Sequence, residues 1–340
     1  MRIGIGTTLP HNTPGKWAAT LQLWGCTAAV CPIDHTAPAD LRKDYLDAAS
    51  SAGLSITEVG VWRNVMSPDG DERRKAIEYA EAQLALADEI GARCCVNIAG
   101  NAGPGGWDQY SPQNYSGEAY ERIVDTTREI IDAVRPVRTR YALECMPWML
   151  PDSPESYLKL LKDVDRDHMG VHLDYTNMIN GMGRWRTMRS FIDSCFSILG
   201  GRILSIHAKD VRLMPGLPTS IVETEPGTGA VDYTQVLSLA ARFAPRASVF
   251  TEHLDTPRQY RDAVAYLLDT AGRAGGGHGS SRDPREPMTT MRKGDGDGGG
   301  SSYASQAAAA HFAPQRNPGR EPRTPTATAG QQAPHPRPCH

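Results

Sequence analysis

No run of about 18 apolar residues occurs in this chain, so no segment is expected to span a membrane. The opening Met1-Arg2-Ile3-Gly4-Ile5-Gly6 lacks the charged region and long apolar stretch of a secretory signal, so none is expected. Neither sign of charge dominates: 36 Lys and Arg stand against 39 Asp and Glu, a net of -3. That balance gives no sign of a chain built to grip nucleic acid or an acidic membrane surface. No CxxC pair is found among the seven cysteines, Cys26, Cys31, Cys94, Cys95, Cys145, Cys195 and Cys339. Their odd number and irregular spacing argue against a disulfide framework and a zinc–thiolate site, and suit a reducing compartment, the cytoplasm. A dinucleotide fingerprint is missing too, because Gly4-Ile5-Gly6-Thr7-Thr8-Leu9 does not complete GxGxxG.

What the chain does contain is a repeated strand-then-helix rhythm. Largely apolar runs at 2–6, 27–33, 54–59, 93–98, 138–144, 169–174, 202–207 and 248–252 read as parallel strands, several of them buried on both faces. Amphipathic segments at 14–23, 38–52, 71–90, 117–134, 154–162, 185–198, 232–243 and 257–271 follow them as helices. Thr13-Pro14, Ser153-Pro154 and Thr256-Pro257 place a hydroxyl at the N-cap and proline in the first turn, and Pro38 is expected to open its helix similarly. Gly53 and Gly91 stand where left-handed caps end helices. Eight such units predict an α/β fold, a (β/α)8 TIM barrel over residues 1–271. Beyond Gly272 the composition turns to glycine, alanine, proline and arginine with scarcely any aromatic or branched aliphatic residue. A segment of that kind, 272–340, is expected to be a disordered tail.

Chemistry in such a barrel sits where the strands end. The last four strands terminate in Glu144, Asp174, His207 and Glu252, each after a largely apolar run. Inward side chains on neighbouring strands lie about 4.8 Å apart, so three carboxylates and one imidazole are expected to share one cation. An oxygen-rich set with a single nitrogen suits Mn²⁺ or Mg²⁺ first, with Co²⁺ or Zn²⁺ compatible. Without an ion, carboxylates so close would repel one another.

In ordered segments the chain resembles the xylose isomerase-like TIM-barrel superfamily, its sugar phosphate isomerase/epimerase branch in particular. The segments are Leu143-Glu144, Leu173-Asp174-Tyr175-Thr176-Asn177, Ile206-His207-Ala208-Lys209-Asp210, Pro226 to Tyr233, and Thr251-Glu252, within a likeness spanning roughly 1–271. The resemblance implies a metal site of Glu144, Asp174, His207 and Glu252, with Glu144 and Glu252 as the acid/base pair at a carbon beside a carbonyl. It further implies a small carbohydrate substrate, and allows a homodimer that no residue pattern requires. Two positions depart from ketose 3-epimerases: Asn177 stands three residues after the metal aspartate in place of histidine, and Leu150 six residues after Glu144 in place of glutamate. A dehydratase acting on a keto-polyol such as inosose or dehydroshikimate therefore stays open, as does a non-catalytic sugar-binding protein. A nuclease site of the endonuclease IV kind would need histidines that strands one to four do not end in.

Substrate contacts are expected from Trp148, as an aromatic wall, from Asn177, and from Lys209, as a rim cation or proton donor; Lys209 has an alternative as an ion pair with Asp210 or a loop carboxylate. His172 points the same way as Asp174, one layer deeper. His11 and His35, after the first two strands, are further rim candidates. Trp62 and Trp107 lie in loops, Glu58 in the third strand. The loop 100–116 is the expected lid, and the glycines of Pro226-Gly227-Thr228-Gly229 are read either as turn formers or as opening backbone amides to an anion.

Overall fold

In the computed structural model, which describes residues 1–275, the eight barrel strands are all parallel. They are β1 (Arg2–Ile5), β2 (Ala28–Val30), β3 (Ser55–Gly60), β4 (Cys94–Ile98), β5 (Arg140–Glu144), β6 (Met169–Leu173), β7 (Ile203–Ala208) and β10 (Ser248–Thr251). Their order around the sheet is β1-β10-β7-β6-β5-β4-β3-β2. Seven pairings are parallel ladders, two of them with a register shift, and the two ends meet through Thr27 N donating to Ile3 O at 2.8 Å and Ile3 N donating to Thr27 Oγ1 at 3.1 Å. The cylinder is nearly closed. Gly4 permits that seam, since a Cβ there would lie 2.2 Å from Ala28 O. Phe250, paired with Gly4 on one side and His207 on the other, fills the interior left by the missing side chain.

Helices α1 (Pro14–Leu23), α2 (Ala39–Ser51), α3 (Gly70–Ile90), α4 (Gly117–Val134), α5 (Pro154–Val164), α6 (Met182–Arg186), α7 (Met188–Leu199), α8 (Tyr233–Phe243) and α9 (Pro257–Gly275) complete the units. The cap signals act as expected from their chemistry. Thr13 Oγ1 accepts from Lys16 N, Ser153 forms a reciprocal capping box with Ser156, and Gly91 takes a left-handed φ of 72°. Buried faces such as Ile77, Ala80, Leu84 and Ala87 of α3 pack on the strands and form one continuous core.

The structure differs locally in several places. The second strand shortens to Ala28–Val30: its register slips between Ala29 and Val30, and Pro32 has no N–H to extend a ladder. Pro38 occupies the N-cap itself and brings no side-chain acceptor. The helix expected over 185–198 is two, α6 and α7, parted at Thr187. The segment after β7 carries an antiparallel hairpin, β8 (Asp210–Met214) with β9 (Ser220–Thr224). Helix α9 runs to Gly275, past the boundary drawn at 271, and the rest of the expected tail lies outside the described residues. Among the described residues no helix is long and apolar enough to cross a membrane.

Candidate active site and metal centre

Strands β5, β6, β7 and β10 are consecutive neighbours, and parallel register puts their C-terminal ends on one rim. Glu144 is the last residue of β5, Asp174 and Glu252 follow β6 and β10 directly, and His207 lies in β7. One ligand atom from each lies within 4.8 Å of the others, and all four residues are buried. His207 Nδ1 stands 2.9 Å from Glu252 Oε1, 3.1 Å from Glu144 Oε1 and 3.8 Å from Asp174 Oδ2.

Lys209, two residues on from His207 and so on the same face of the strand, sends its ammonium into this group. It is 1% exposed, with Nζ 2.7 Å from both Asp174 Oδ2 and Glu252 Oε1. Glu252 Oε1 is thus flanked by two cations, His207 Nδ1 and Lys209 Nζ, and Asp174 Oδ2 by Lys209. Asn177 braces the other side: its Nδ2 donates to Glu144 Oε1 at 3.2 Å and its Oδ1 accepts from Lys209 Nζ at 3.1 Å. Its backbone N–H donates to Asp174 Oδ1 at 2.9 Å, as does Thr176 Oγ1 at 2.6 Å. Asn177 and Lys209 thus join the metal-capable four in one network.

The electrostatics divide the two glutamates. Burial pushes the Glu144 carboxyl up, helped by the charge of Glu252 and only partly opposed by His207. Burial acts on Glu252 too, but His207 and Lys209 overcome it and hold Glu252 well below the usual carboxylate range. Asp174 is lowered for the same reason, with Lys209 the main opponent of burial. For His207 and Lys209 burial works downward, and the surrounding carboxylates win, raising both well above their ordinary values.

Several expectations are corrected by the contacts. Lys209 does not pair with Asp210. The Asp210 carboxylate turns outward and accepts from Val211 N at 2.8 Å, Val231 N at 2.9 Å, and Gly227 N and Gly229 N at 3.0 Å each. The amides of Pro226-Gly227-Thr228-Gly229 considered for an anion are therefore already committed, and Gly229 is needed because a Cβ there would lie 2.2 Å from Asp210 Oδ1. Asp210→Ala is expected to strand four amide donors and cost about 3 kcal/mol or more. Residue-resolved hydrogen exchange should then show the amides of Gly227, Gly229 and Val231 losing protection.

His11 has both ring nitrogens engaged, Nδ1 at 2.7 Å from Leu9 O and Nε2 at 2.6 Å from the Tyr45 hydroxyl, so it has none to offer a substrate. His35 is tied to Gln83 Oε1 through its backbone N–H and Nδ1. The loop 100–116 is braced rather than hinged. Buried Asn101 and Asn114 tie its backbone together, and Trp148 Nε1 donates to Asp108 O at 2.7 Å. Trp148 thereby stands at the rim, partly exposed.

Two residues not singled out from the sequence join the mouth. Glu223 of β9 reaches to 3.8 Å from Lys209 Nζ and 3.2 Å from His253 Nδ1. His253, next to Glu252, holds a positive φ of 56° with Nε2 3.8 Å from Glu252 Oε1. Adjacency to Glu252 was a usable signal for His253. Nothing local marked Glu223, which the β8–β9 hairpin carries to the mouth.

A strand-end cluster of this kind on a nearly closed parallel barrel agrees with the sequence, which matches the xylose isomerase-like TIM-barrel family over residues 19–270. The chain belongs to that family. No curated protein matches it significantly in sequence. Solved structures share the fold at low identity. A xylose isomerase-like TIM-barrel protein from Mycobacterium smegmatis in complex with magnesium superposes with a TM-score of 0.59 at 16% identity, covering 76% of this chain and 88% of that one. D-psicose 3-epimerase from Clostridium cellulolyticum H10, solved with D-tagatose, gives 0.60 at 15%, covering 80% and 98%. The probable 3-DHS dehydratase AsbF from Bacillus anthracis gives 0.58 at 18%, covering 78% and 95%.

Proposed function

We propose that this xylose isomerase-like barrel is a divalent-metal-dependent isomerase or epimerase that moves a proton at a carbon beside the carbonyl of a small sugar. The observation that carries the reading is the convergence of Glu144, Asp174, His207 and Glu252 on one buried point. Charge supports it. Three ionised carboxylates against the Lys209 ammonium leave two negative charges, which one divalent ion balances when His207 ligates as neutral imidazole. Mn²⁺ and Mg²⁺ fit this donor set best, with Co²⁺ and Zn²⁺ next. Such an ion supplies electrophilic stabilisation for the negative charge that develops on the substrate oxygen.

The side chains then divide the work. Glu252 and Glu144 form the acid/base pair: Glu252, held low by His207 and Lys209, takes the proton, and Glu144, whose carboxyl burial pushes up, passes one back on the other side. Asn177 holds the Glu144 carboxylate in place, Lys209 presents a cation to a substrate oxygen, and Trp148 walls the rim. The chain would act in the reducing cytoplasm, which its unpaired described cysteines suit.

The test is metal-loaded protein incubated with a panel of ketoses and keto-polyols in D2O. Deuterium entering a substrate C–H supports the proposal, and no exchange with any metal or substrate of the panel argues for a binding protein instead. A second reading rests on Lys209, an ammonium able to protonate a departing hydroxyl, which would make the enzyme a dehydratase. An enone or aromatic absorbance growing from inosose or a dehydroshikimate would select it.

Ion binding should also release protons. His207 is held as imidazolium by Glu252 and Glu144, and must give up its Nδ1 proton to ligate. Titration calorimetry in buffers of different ionisation enthalpy should find about one proton released per ion near neutral pH, with affinity falling about tenfold per pH unit on acidification.

A further inference from the structure

Beneath the metal-capable group lies a second buried one, Glu58, His172 and His207. Glu58 points inward from β3 and is 2% exposed, with no lysine or arginine paired to it among the described residues. Its Oε2 accepts from Ser205 Oγ at 2.6 Å and faces His172 Nε2 at 3.2 Å. His172 Nδ1 is buried without a hydrogen-bond partner, so the ring's polar contact runs through Nε2 to Glu58. With Oε2 so engaged, Oε1 is left facing His207 Nε2 at 4.0 Å. His207 therefore stands between carboxylates on both edges, with Nδ1 toward Glu144, Asp174 and Glu252, and Nε2 toward Glu58.

A histidine that ligates through Nδ1 must carry its proton on Nε2, and that N–H needs an acceptor in so dry a place. We propose that Glu58, fixed by Ser205 and His172, is the positioning residue of the metal histidine, taking the His207 Nε2–H and so turning the Nδ1 lone pair to the cation. This rests on the metal reading above and adds a residue to it. The two donors already on Oε2 mark the trio as a hydrogen-bond relay, not as a second cation site.

The experiment is Mn²⁺ titration by calorimetry of the whole chain, wild type against Glu58→Gln, which keeps the shape, and Ser205→Ala, which frees the carboxylate. Glu58→Gln is expected to weaken Mn²⁺ binding by about 10- to 100-fold, and Ser205→Ala less, in the same direction. In Mg²⁺-loaded protein, long-range proton–nitrogen spectra should show His207 protonated only on Nε2 in the wild type and a mixed or mobile ring in Glu58→Gln. Wild-type affinity and an unchanged His207 signal in a folded Glu58→Gln protein would overturn the inference alone. Two ions per chain, one of them lost with Glu58, would overturn it by making Glu58 a direct ligand. A wild-type chain that binds no ion would sink the metal reading and this inference together.

Discussion

Glu252→Gln is expected to abolish both deuterium exchange and product formation, and Glu144→Gln to abolish product formation, each by at least about a hundredfold. Glutamine matches glutamate in size and keeps a carbonyl oxygen, but it cannot accept or deliver the proton. The two substitutions should differ in kind. Glu252 lies between His207 and Lys209, which keep it ionised and ready as the base. Glu144, pushed up by burial, serves the opposite transfer, so its loss should leave some exchange at the face served by Glu252. Because both side chains also face the cation position, Mn²⁺ affinity belongs in the same measurement. Loss of turnover with the ion still bound isolates proton transfer. Wild-type product formation in either variant would remove that glutamate from the chemistry.

The second large effect concerns Lys209. Lys209→Met should destabilise the metal-free protein by about 3–5 kcal/mol at neutral pH, since it removes one partner of a buried ionic group and leaves Asp174 and Glu252 facing each other. The sign with pH follows from the lowered values of both carboxyls. Their ion pairing with Lys209 contributes fully above the unfolded carboxylate range of about 4, and is lost as pH falls through the lower folded values. The penalty of the variant should accordingly shrink in acid. Mn²⁺ should stabilise the variant more than the wild type, because the ion restores positive charge where the ammonium stood. Urea unfolding with and without Mn²⁺ measures both. Equal stability of the two metal-free proteins at neutral pH would show that Lys209 is not what holds the carboxylates together.

Lys209 also shows where reading along the chain stops. Its place two residues after His207 put it on the inward face, and that much follows from the period of a strand. Its partners did not follow. Asp210 was the nearest acid in sequence, yet Asp210 closes the turn at 227–231, and the ammonium pairs with residues from β6 and β10. In the same way His172 was legible as inward and deep, while its partner Glu58 lies 114 residues away. The Gly-rich turn at 226–229 had two readings until the Asp210 contacts chose one.

The sequence alone determined the alternation of strand and helix, the barrel, and the height at which Glu144, Asp174, His207 and Glu252 emerge. Those depend on local rules: apolar runs end where the strand leaves the core, and side chains alternate with a period of two. Only the tertiary structure decided which charges meet, how the β8–β9 hairpin brings Glu223 to the mouth, and that His207 has a carboxylate at each nitrogen. Such pairings depend on distances across the barrel, which neighbours in sequence do not encode.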